Sequence, residues 1–278
     1  MIPFTKAHAC GNDFLIVTEE DAAGYNFSEV TRRLCARTTG IGADGIEFFA
    51  WNSTATGPKS GRIRLHNADG SIAEISGNGT RCVAAWMAHQ LRSQPGDLLE
   101  IQTDAGPRIC RINALSAAAG FTVEVTTGMS VPAFQPHTVV LGSGLPVVGI
   151  EISIGNPHFV IVVDNPEFSV AGKPWHAIGA EICVHPDFPH QTNVEFIRVL
   201  SPEHIEIRIF ERGVGPTTSS GTGSSASATA ARAFMGCQSP LFVEAPGGVQ
   251  SVTWDGPGTE LQLTGPASLI ARGEAFYT

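Results

Sequence analysis

The chain of 278 residues repeats itself, and this repeat constrains its fold more than any other feature. Three segments return 144 positions later: 11–17 (GNDFLIV) as 155–161, 62–67 (RIRLHN) as 206–211, and 76–80 (SGNGT) as 220–224. A fourth segment, 101–106, returns 142 positions later as 243–248. Short glycine-rich strings recur by chance, but four ordered matches at nearly one spacing indicate a duplication. We therefore expect two halves of similar fold.

Each half is expected to be mainly β, with one prominent helix that begins at the repeated Ser-Gly-x-Gly turn. Apolar residues at helical spacing after the first such turn, from Val83 to Leu91, predict that helix. An earlier helix is predicted from Ser28, as its N-cap, to a stop at Gly40. Strands are predicted at 14–17, 62–65, 98–103 and 241–245.

The fold class that follows is α+β, with two duplicated domains, 1–127 and 128–278. Residues 128–136 (GMSVPAFQP) have the composition of a linker. Whether the last ~12 residues pair back with the first half stays open. The active site is expected in a cleft between the two halves.

Charge and cysteine content exclude several classes of function. The formal net charge is −9, which disfavours nucleic acid and anionic membranes as partners because both require clustered Lys and Arg. None of the six cysteines forms a CxxC pair, so we expect no metal site. The first residues lack the apolar region of a signal peptide, and no apolar run reaches the length of a membrane span. These features favour a cytoplasmic protein with reduced thiols.

The two Ser-Gly-x-Gly turns are suited to bind an anionic group. Each lies directly before a helix, whose first turn offers unpaired N–H groups and a positive dipole end. Glycine lets the backbone approach a ligand closely, and a carboxylate suits such a site as well as a phosphate. If the two turns face one ligand, Ser76 and Ser220 lie on opposite sides of one α-carbon, as a two-base racemase requires. The alternative is that each serine is simply a helix N-cap.

Six ordered motifs along most of the chain resemble the diaminopimelate epimerase family. They are KAHACGNDF (6–14), TGIGADG (39–45), NADGSIAEISGNGTRC (67–82), GNPHFV (155–160), QTNVEF (191–196) and ERGVG with SSGTG (211–215, 219–223). The resemblance implies a curved, mainly antiparallel sheet wrapped around a central helix in each domain. It also implies an isomerase that needs neither a cofactor nor a metal and interconverts LL- and meso-diaminopimelate in lysine and cell-wall biosynthesis. A homodimer is one option for the oligomeric state.

The resemblance also assigns site residues. It places the catalytic pair at Ser76 and Ser220, with His158 as a helper. It implies substrate contacts at Asn12, Asn67, Gly77, Asn78, Asn156, Asn193, Glu211, Arg212, Gly221 and Thr222. Chemically, Arg212 can hold a carboxylate with two parallel hydrogen bonds, and the Asn amides offer both donors and acceptors. The structural alternatives are that Asn12 and Asn156 serve their turns, that Arg212 forms a structural ion pair, and that His158 is a partly buried residue whose hydrogen bonds are satisfied.

The chain departs from the family at the catalytic positions, where the family has two cysteines and this chain has Ser76 and Ser220. A thiol titrates near ~8.5, whereas a hydroxyl is much less acidic and its pKa lies nearer to that of water. A gap of about five units makes the base about 7 kcal/mol more costly, and a helix dipole returns only about 0.3–2 kcal/mol. Serine therefore needs another group, such as Glu211 or His158, to act as a base.

Four interpretations remain. The chain is a true epimerase, a racemase, isomerase or dehydratase of another small amino or hydroxy acid, a non-catalytic amino-acid-binding paralogue, or a variant in which serine was substituted for cysteine. Cys10, beside the GN turn, is a further candidate source of a thiol, whereas Cys82 is expected to face the core.

Overall fold

The computed structural model describes residues 1–52, 59–73, 75–117 and 121–277, and the chain divides into two units. The first unit comprises Met1–Gly128 with Thr264–Thr278, and the second comprises Met129–Leu263. None of the helices in the described ranges has the length and apolar character that a membrane span requires.

The first unit is a closed sheet around one helix. Its elements are β1 (Ile2–Ala9), β2 (Asn12–Thr18), α1 (Phe27–Cys35), β3 (Gly45–Trp51), β4 (Lys59–Asn67), β5 (Ile72–Ala73), α2 (Gly77–Leu91), β6 (Leu98–Thr103), β7 (Gly106–Ser116), β8 (Phe121–Gly128) and the C-terminal β17 (Gln262–Ala275). The strands pair in the order β1-β2-β3-β4-β6-β7-β8-β17, and β17 pairs again with β1. The β2–β3 and β4–β6 pairs are parallel. The β1–β2, β3–β4, β6–β7, β7–β8 and β1–β17 pairs are antiparallel.

The second unit repeats this order of elements. It contains β9 (Ala133–Val140), β10 (Pro146–Ser153), β11 (Pro157–Val162), α3 (Trp175–Cys183), β12 (Asn193–Ser201), β13 (His204–Glu211), β14 (Gly215–Thr217), α4 (Gly221–Phe234), β15 (Leu241–Ala245) and β16 (Gly248–Thr253). The strands pair in the order β9-β10-β11-β12-β13-β15-β16, with β11–β12 and β13–β15 parallel. Residues 133–136 of the predicted linker are therefore the beginning of a strand.

The predicted fold class is confirmed by these elements. The helices α2 and α4 begin at Gly77 and Gly221, which are 144 positions apart, and each follows a Ser N-cap. The strands predicted at 98–103 and 241–245 are β6 and β15, and those predicted at 14–17 and 62–65 lie within β2 and β4. The predominance of strands and the duplicated α+β organisation thus follow the sequence pattern.

Alternation along β3 gives this strand two buried faces. Ile46 and Phe48 pack in one cluster with Val30 and Leu34 of α1, whereas Phe49 packs in another with residues of α2. Glu47 points to the same face as Phe49, since side chains two apart share a face. The strand can be apolar almost throughout because a helix covers each face. Glu47, completely buried on the α2 side, is the exception.

The central helix of each unit is buried from its first residue. In α2 the residues from Gly77 to Ala88 are buried, and in α4 those from Gly221 to Ala231. A helix that is buried on all sides does not need one apolar and one polar face. Small residues such as Ala and Gly occupy the positions at which the surrounding strands approach the helix closely. The beginning of each helix therefore lies among buried groups rather than at the surface.

Helix α1 differs from its prediction at both ends. Its N-cap is Asn26, whose side chain accepts a hydrogen bond from the Glu29 amide at 3.1 Å, so Ser28 is not the cap. The helix ends at Cys35 rather than at Gly40. Gly40 lies against the carbonyl oxygens of Arg33 and Leu34, where a Cβ would not fit. The glycine thus marks the place where the chain folds back over the helix end, which explains the wrong prediction.

We expect the substitution Asn26→Ala to lower the free energy of unfolding by about 1 kcal/mol, because an N-cap side chain satisfies a helix amide that otherwise lacks a partner. The matched control is Ser28→Ala, which leaves the cap intact and should cost less than half as much. Urea denaturation followed by circular dichroism measures both. Equal losses, or a larger loss for Ser28→Ala, would contradict the assignment of the cap.

Candidate functional site

Ser76 is the N-cap of α2. Its hydroxyl oxygen accepts a hydrogen bond from the Gly79 amide at 3.0 Å, and its carbonyl accepts one from the Thr80 amide at 2.8 Å. The interpretation of Ser76 as a helix cap is therefore correct. The cap uses only an acceptor site of the hydroxyl, so the O–H can still donate towards a ligand. The amides of Gly77 and Asn78 belong to the first turn, whose N–H groups have no partner within the helix.

Two predicted substrate contacts, Asn12 and Asn78, are joined by a hydrogen bond. Asn78 Nδ2 donates to Asn12 Oδ1 at 3.1 Å, and Asn12 Nδ2 donates to Asp44 Oδ2 at 2.6 Å. Behind Asn78, the Arg81 Nη2 donates to its Oδ1 at 2.7 Å. Asn12 thus does more than serve its turn, since it connects the beginning of α2 to the segment before β3. This chain of contacts holds both amides in one orientation.

Charged side chains fix the outer end of this chain. Arg37 donates to both oxygens of Asp13, at 2.8 and 3.1 Å, and to Asp44 at 2.6 Å. Lys6 lies 3.0 Å from Asp13. Burial raises the pKa of Asp13, but the hydrogen bonds and charges of Arg37 and Lys6 outweigh burial and hold that pKa below its usual value. Asp13 is therefore a charged anchor at neutral pH.

Asn67 lies at the end of β4, close to the same anchor. Its Nδ2 donates to Ser71 Oγ at 3.0 Å within a tight turn. The next amide, that of Ala68, donates to the Asp44 carbonyl at 2.9 Å. Asn67 is also the partner of Gly45 across the β3–β4 pair. The structure thereby places Asn67 beside the segment that orients Asn12.

Ser220 repeats in the second unit what Ser76 does in the first. It is the N-cap of α4, and its Oγ accepts a hydrogen bond from the Gly223 amide at 3.1 Å. A second contact joins Ser220 Oγ and Thr222 Oγ1 at 3.4 Å. Asn156 Nδ2 donates to the same Thr222 hydroxyl at 3.3 Å. Unlike Ser76, Ser220 is thus connected by side chains to an asparagine of the neighbouring turn.

His158 continues this chain into the interior. Its Nε2 lies 3.0 Å from Asn156 Oδ1, and its Nδ1 lies 2.8 Å from Oε1 of the buried Glu195. Since both ring nitrogens face oxygen atoms, either a histidinium meets a carboxylate or a neutral ring meets a protonated acid. The pair has no net charge in either case. Burial raises the pKa of Glu195, and the neighbouring His158 opposes that shift.

Three predicted substrate contacts lie where β12 begins and β13 ends: Asn193, Glu211 and Arg212. Asn193 Oδ1 accepts a hydrogen bond from the Arg212 amide at 3.0 Å. The Arg212 side chain donates to the His190 carbonyl at 3.3 Å, and among the described residues it contacts no carboxylate. The structural ion pair considered for Arg212 is therefore absent from the described ranges. An exposed guanidinium in this position can bind an anion with two hydrogen bonds.

Within each unit the predicted residues thus form connected groups. In the first unit these are Asn12, Asn67, Ser76, Gly77 and Asn78. The second unit brings together Asn156, His158, Ser220, Gly221 and Thr222, and β11 pairs His158 with Asn193 of the adjacent strand. Their hydrogen-bond donors and acceptors, and the helix N-terminus in each group, are suited to bind a zwitterion.

Sequence reasoning missed several groups that support these contacts: the buried Glu47, Arg81 and Glu195, the half-buried Asp44 and the exposed Arg37. Asp44 and Glu195 lie in the quoted motifs, and a charged residue inside an apolar strand is a signal that could have identified Glu47 and Glu195. Arg81 also lies in a quoted motif, but its position in a helix gave no sign of burial, because a polar residue in a helix normally faces water. Its burial lowers its pKa.

The cysteines offer the site no exposed thiol. Cys82 is completely buried in the cluster around α2, as predicted, and burial raises its pKa. Cys10 is buried at the turn between β1 and β2, with its backbone in the left-handed region at φ 51°. None of the six cysteines, which all lie in the described ranges, forms a disulfide bond. Among the described residues, no three His, Cys, Asp or Glu side chains are grouped to hold a metal ion.

Comparison with known proteins identifies relatives over the whole chain. A model of the family described as diaminopimelate epimerase matches residues 4–131 and 150–270. The diaminopimelate epimerase of Carboxydothermus hydrogenoformans is 34% identical over 283 residues, covering 98% of this chain and 99% of that protein. That of Pseudomonas aeruginosa LESB58 is 33% identical and covers 99% of each.

Solved structures agree on the fold at much lower identity. A phenazine biosynthesis protein of the PhzF family from Bacillus anthracis superposes with a TM-score of 0.71 at 18% identity, covering 99% of each chain. This likeness concerns the fold, whereas the family model and the full-length relatives concern the sequence itself. On that evidence, the chain belongs to the diaminopimelate epimerase family.

Proposed function

We propose that this protein interconverts LL- and meso-diaminopimelate by two-base proton transfer at the α-carbon, without a cofactor. The observation that carries the proposal is the pair of matching helix beginnings, each with a capping serine at the position of a catalytic cysteine in the family. Full-length relatives named as diaminopimelate epimerases support the substrate. A biosynthetic reaction of this kind, and the absence of disulfide bonds among the six cysteines, support a location in the cytoplasm.

In this proposal the substrate is held by its charged groups. The first-turn amides of Gly77, Asn78, Gly221 and Thr222 bind the α-carboxylate, which the dipoles of α2 and α4 favour. Arg212 binds the remote carboxylate. Asn12, Asn67, Asn156, Asn193 and Glu211 bind the ammonium groups and orient the chain. The reaction then requires the α-carbon to lie between the hydroxyls of Ser76 and Ser220.

The chemical step transfers one proton out and one proton in. The oxygen of one serine takes the α-proton as a C–H bond breaks, and the other serine gives its hydroxyl proton to the opposite face of the carbanion. The first oxygen must begin as an alkoxide, which costs about 7 kcal/mol more than a thiolate for a gap of about five pKa units, so a neighbouring base such as Glu211 must first take its proton. We therefore expect slow turnover.

His158 and its neighbours supply orientation rather than a proton wire. An asparagine amide does not exchange protons readily, so the contacts from Ser220 through Thr222 and Asn156 to His158 hold the Ser220 oxygen in place. In the His158–Glu195 pair, the other ring nitrogen of His158 keeps Asn156 Oδ1 occupied, which turns the Asn156 Nδ2 towards Thr222. An ordered hydrogen-bond network of this kind lowers the reorganisation needed in the reaction.

One observation favours a second candidate, a non-catalytic protein that binds the same amino acid. Both catalytic positions hold serine, whereas the binding residues of the family are present. Incubation with LL-diaminopimelate in deuterated water, followed by NMR at the α-position, separates the two functions. Deuterium incorporation with inversion supports the epimerase, and binding without incorporation supports the binding protein. Absence of binding would exclude diaminopimelate and direct the search to other small amino or hydroxy acids.

We expect the double substitution Ser76→Cys and Ser220→Cys to raise the rate of α-deuterium incorporation at least ~100-fold. Each pKa unit by which the thiol is more acidic removes ~1.36 kcal/mol from the cost of forming the base, and each such amount is tenfold in rate. The control is Ser225→Cys, which adds a buried thiol one turn into α4. An unchanged rate in the double variant, or an equal rise in the control, would contradict the assignment of the two serines.

We expect Arg212→Lys to weaken substrate binding ~10- to 30-fold, because an ammonium cannot form the two parallel hydrogen bonds of a guanidinium. The melting temperature should stay within 1–2 °C, on the order expected for an exposed side chain without an acidic partner. The control, Arg111→Lys, changes an exposed residue of β7. Titration calorimetry with LL-diaminopimelate measures the affinities, and an affinity of the Arg212 variant equal to that of the control would contradict the role.

A further inference from the structure

Two buried glutamates occupy equivalent positions in the two units. Glu47 on β3 lies between Ile16 of β2 and Leu65 of β4, and Glu195 on β12 lies between Val160 of β11 and Ile209 of β13. Both are completely buried. Burying a carboxyl group is costly, so its presence in both repeats indicates a function beyond core packing.

Both carboxyl groups lie directly beneath the beginning of the central helix. A Cβ added to Gly79 would overlap Glu47 Oε1 and approach Ser76 Cβ to 3.2 Å. In the second unit, a Cβ added to Gly223 would come to 2.8 Å from Glu195 Oε1 and 3.2 Å from Ser220 Oγ. The glycine at the third position of each helix therefore makes room for a carboxyl group next to the capping serine.

The two glutamates differ in their partners. Glu195 is bound by His158, whereas the repeat places Phe14 at the corresponding position of β2. Among the residues that the structure describes, neither carboxyl oxygen of Glu47 has a hydrogen-bond partner. Without a cation beside it, a buried carboxyl group is more stable protonated.

The surroundings of Glu47 favour the neutral form. Its neighbours on β2 and β4 are apolar, α2 contributes Cys82, and the turn between β6 and β7 contributes the acidic Asp104. Burial, with a smaller effect of Asp104, raises the pKa of Glu47 to about 8. At neutral pH the first turn of α2 therefore has an uncharged acid beneath it, and above pH 8 it has an anion.

We propose that Glu47 is a positioning residue for substrate binding in the first repeat: its uncharged carboxyl group supports the first turn of α2 and leaves that helix end positive for the substrate carboxylate. Ionised Glu47 would oppose the helix dipole at the place where the anion binds. In the second repeat the His158–Glu195 pair, which has no net charge, meets the same requirement by another chemistry. This inference rests on the proposed function.

The test compares wild type with Glu47→Gln, which is isosteric and permanently neutral. We expect LL-diaminopimelate to bind wild type about fivefold to tenfold more weakly at pH 9 than at pH 6.5, because ionised Glu47 repels the bound carboxylate. In Glu47→Gln most of this difference should disappear, while the affinity at pH 6.5 should stay within about twofold of the wild-type affinity. Any change in the protonation of the substrate between these pH values affects its binding to both proteins equally. Glu20→Gln, at an exposed position, is the control and should behave as wild type.

Stability provides a readout that does not involve the substrate. Since the folded-state pKa of Glu47 is raised above the unfolded value of 4.5, the wild type should lose stability relative to Glu47→Gln as pH rises from 4.5 through about 8. Thermal unfolding of both proteins between pH 5 and 9 measures this difference. If Glu47→Leu fails to fold, that outcome agrees with the supporting role of the carboxyl group and leaves the Gln comparison intact.

The outcomes separate the two claims. If wild type binds diaminopimelate at pH 6.5 and Glu47→Gln retains the full pH dependence of binding, the inference is wrong and the proposed function stands. A stability difference that does not change with pH would also overturn the inference, because it would mean that Glu47 does not titrate in this range. If wild type binds diaminopimelate at neither pH, the proposed function fails and the inference fails with it.

Discussion

The structure of each unit depends on burying the N-terminus of a helix. A helix begins with amides that have no partner in the helix, and burial would make each of them costly. Ser76 and Ser220 each satisfy one of these amides, those of Gly79 and Gly223. In the proposed function an anionic ligand binds other amides of the same first turns, so that one constraint serves both the fold and the binding chemistry.

This arrangement also explains the glycines of the repeated turns. The third residue of each central helix lies against a glutamate of the adjacent strand, so neither Gly79 nor Gly223 has space for a side chain. The residues of the helix, the strand and the turn therefore constrain one another through this packing. The two repeats have kept this packing but changed the groups beneath it, since His158 binds Glu195 whereas Phe14 occupies the matching place near Glu47.

Much of the fold could be predicted because the duplication allowed each half to be checked against the other. The strands β6 and β15 and the beginnings of α2 and α4 follow directly from repeated motifs. The ends of α1 could not be predicted in the same way. Asn26 competes with Ser28 as a cap, and the role of Gly40 depends on the chain segment that packs over Leu34. The cap is decided by a local contact, from the Glu29 amide to Asn26, whereas the role of Gly40 is decided by its packing against the carbonyls of Arg33 and Leu34.

The sequence by itself determined the duplication, the α+β class, the family and the two serines at the helix beginnings, because these depend on local motifs and their spacing. Only the tertiary structure decided which polar residues support those serines. The connection from Ser220 to Glu195 joins the beginning of α4 to β11 and β12. The position of Glu47 beneath Gly79 depends on the register of β3 against its neighbours. Hydrogen bonds and desolvation act over a few ångströms, so their partners are set by folding and not by separation along the chain.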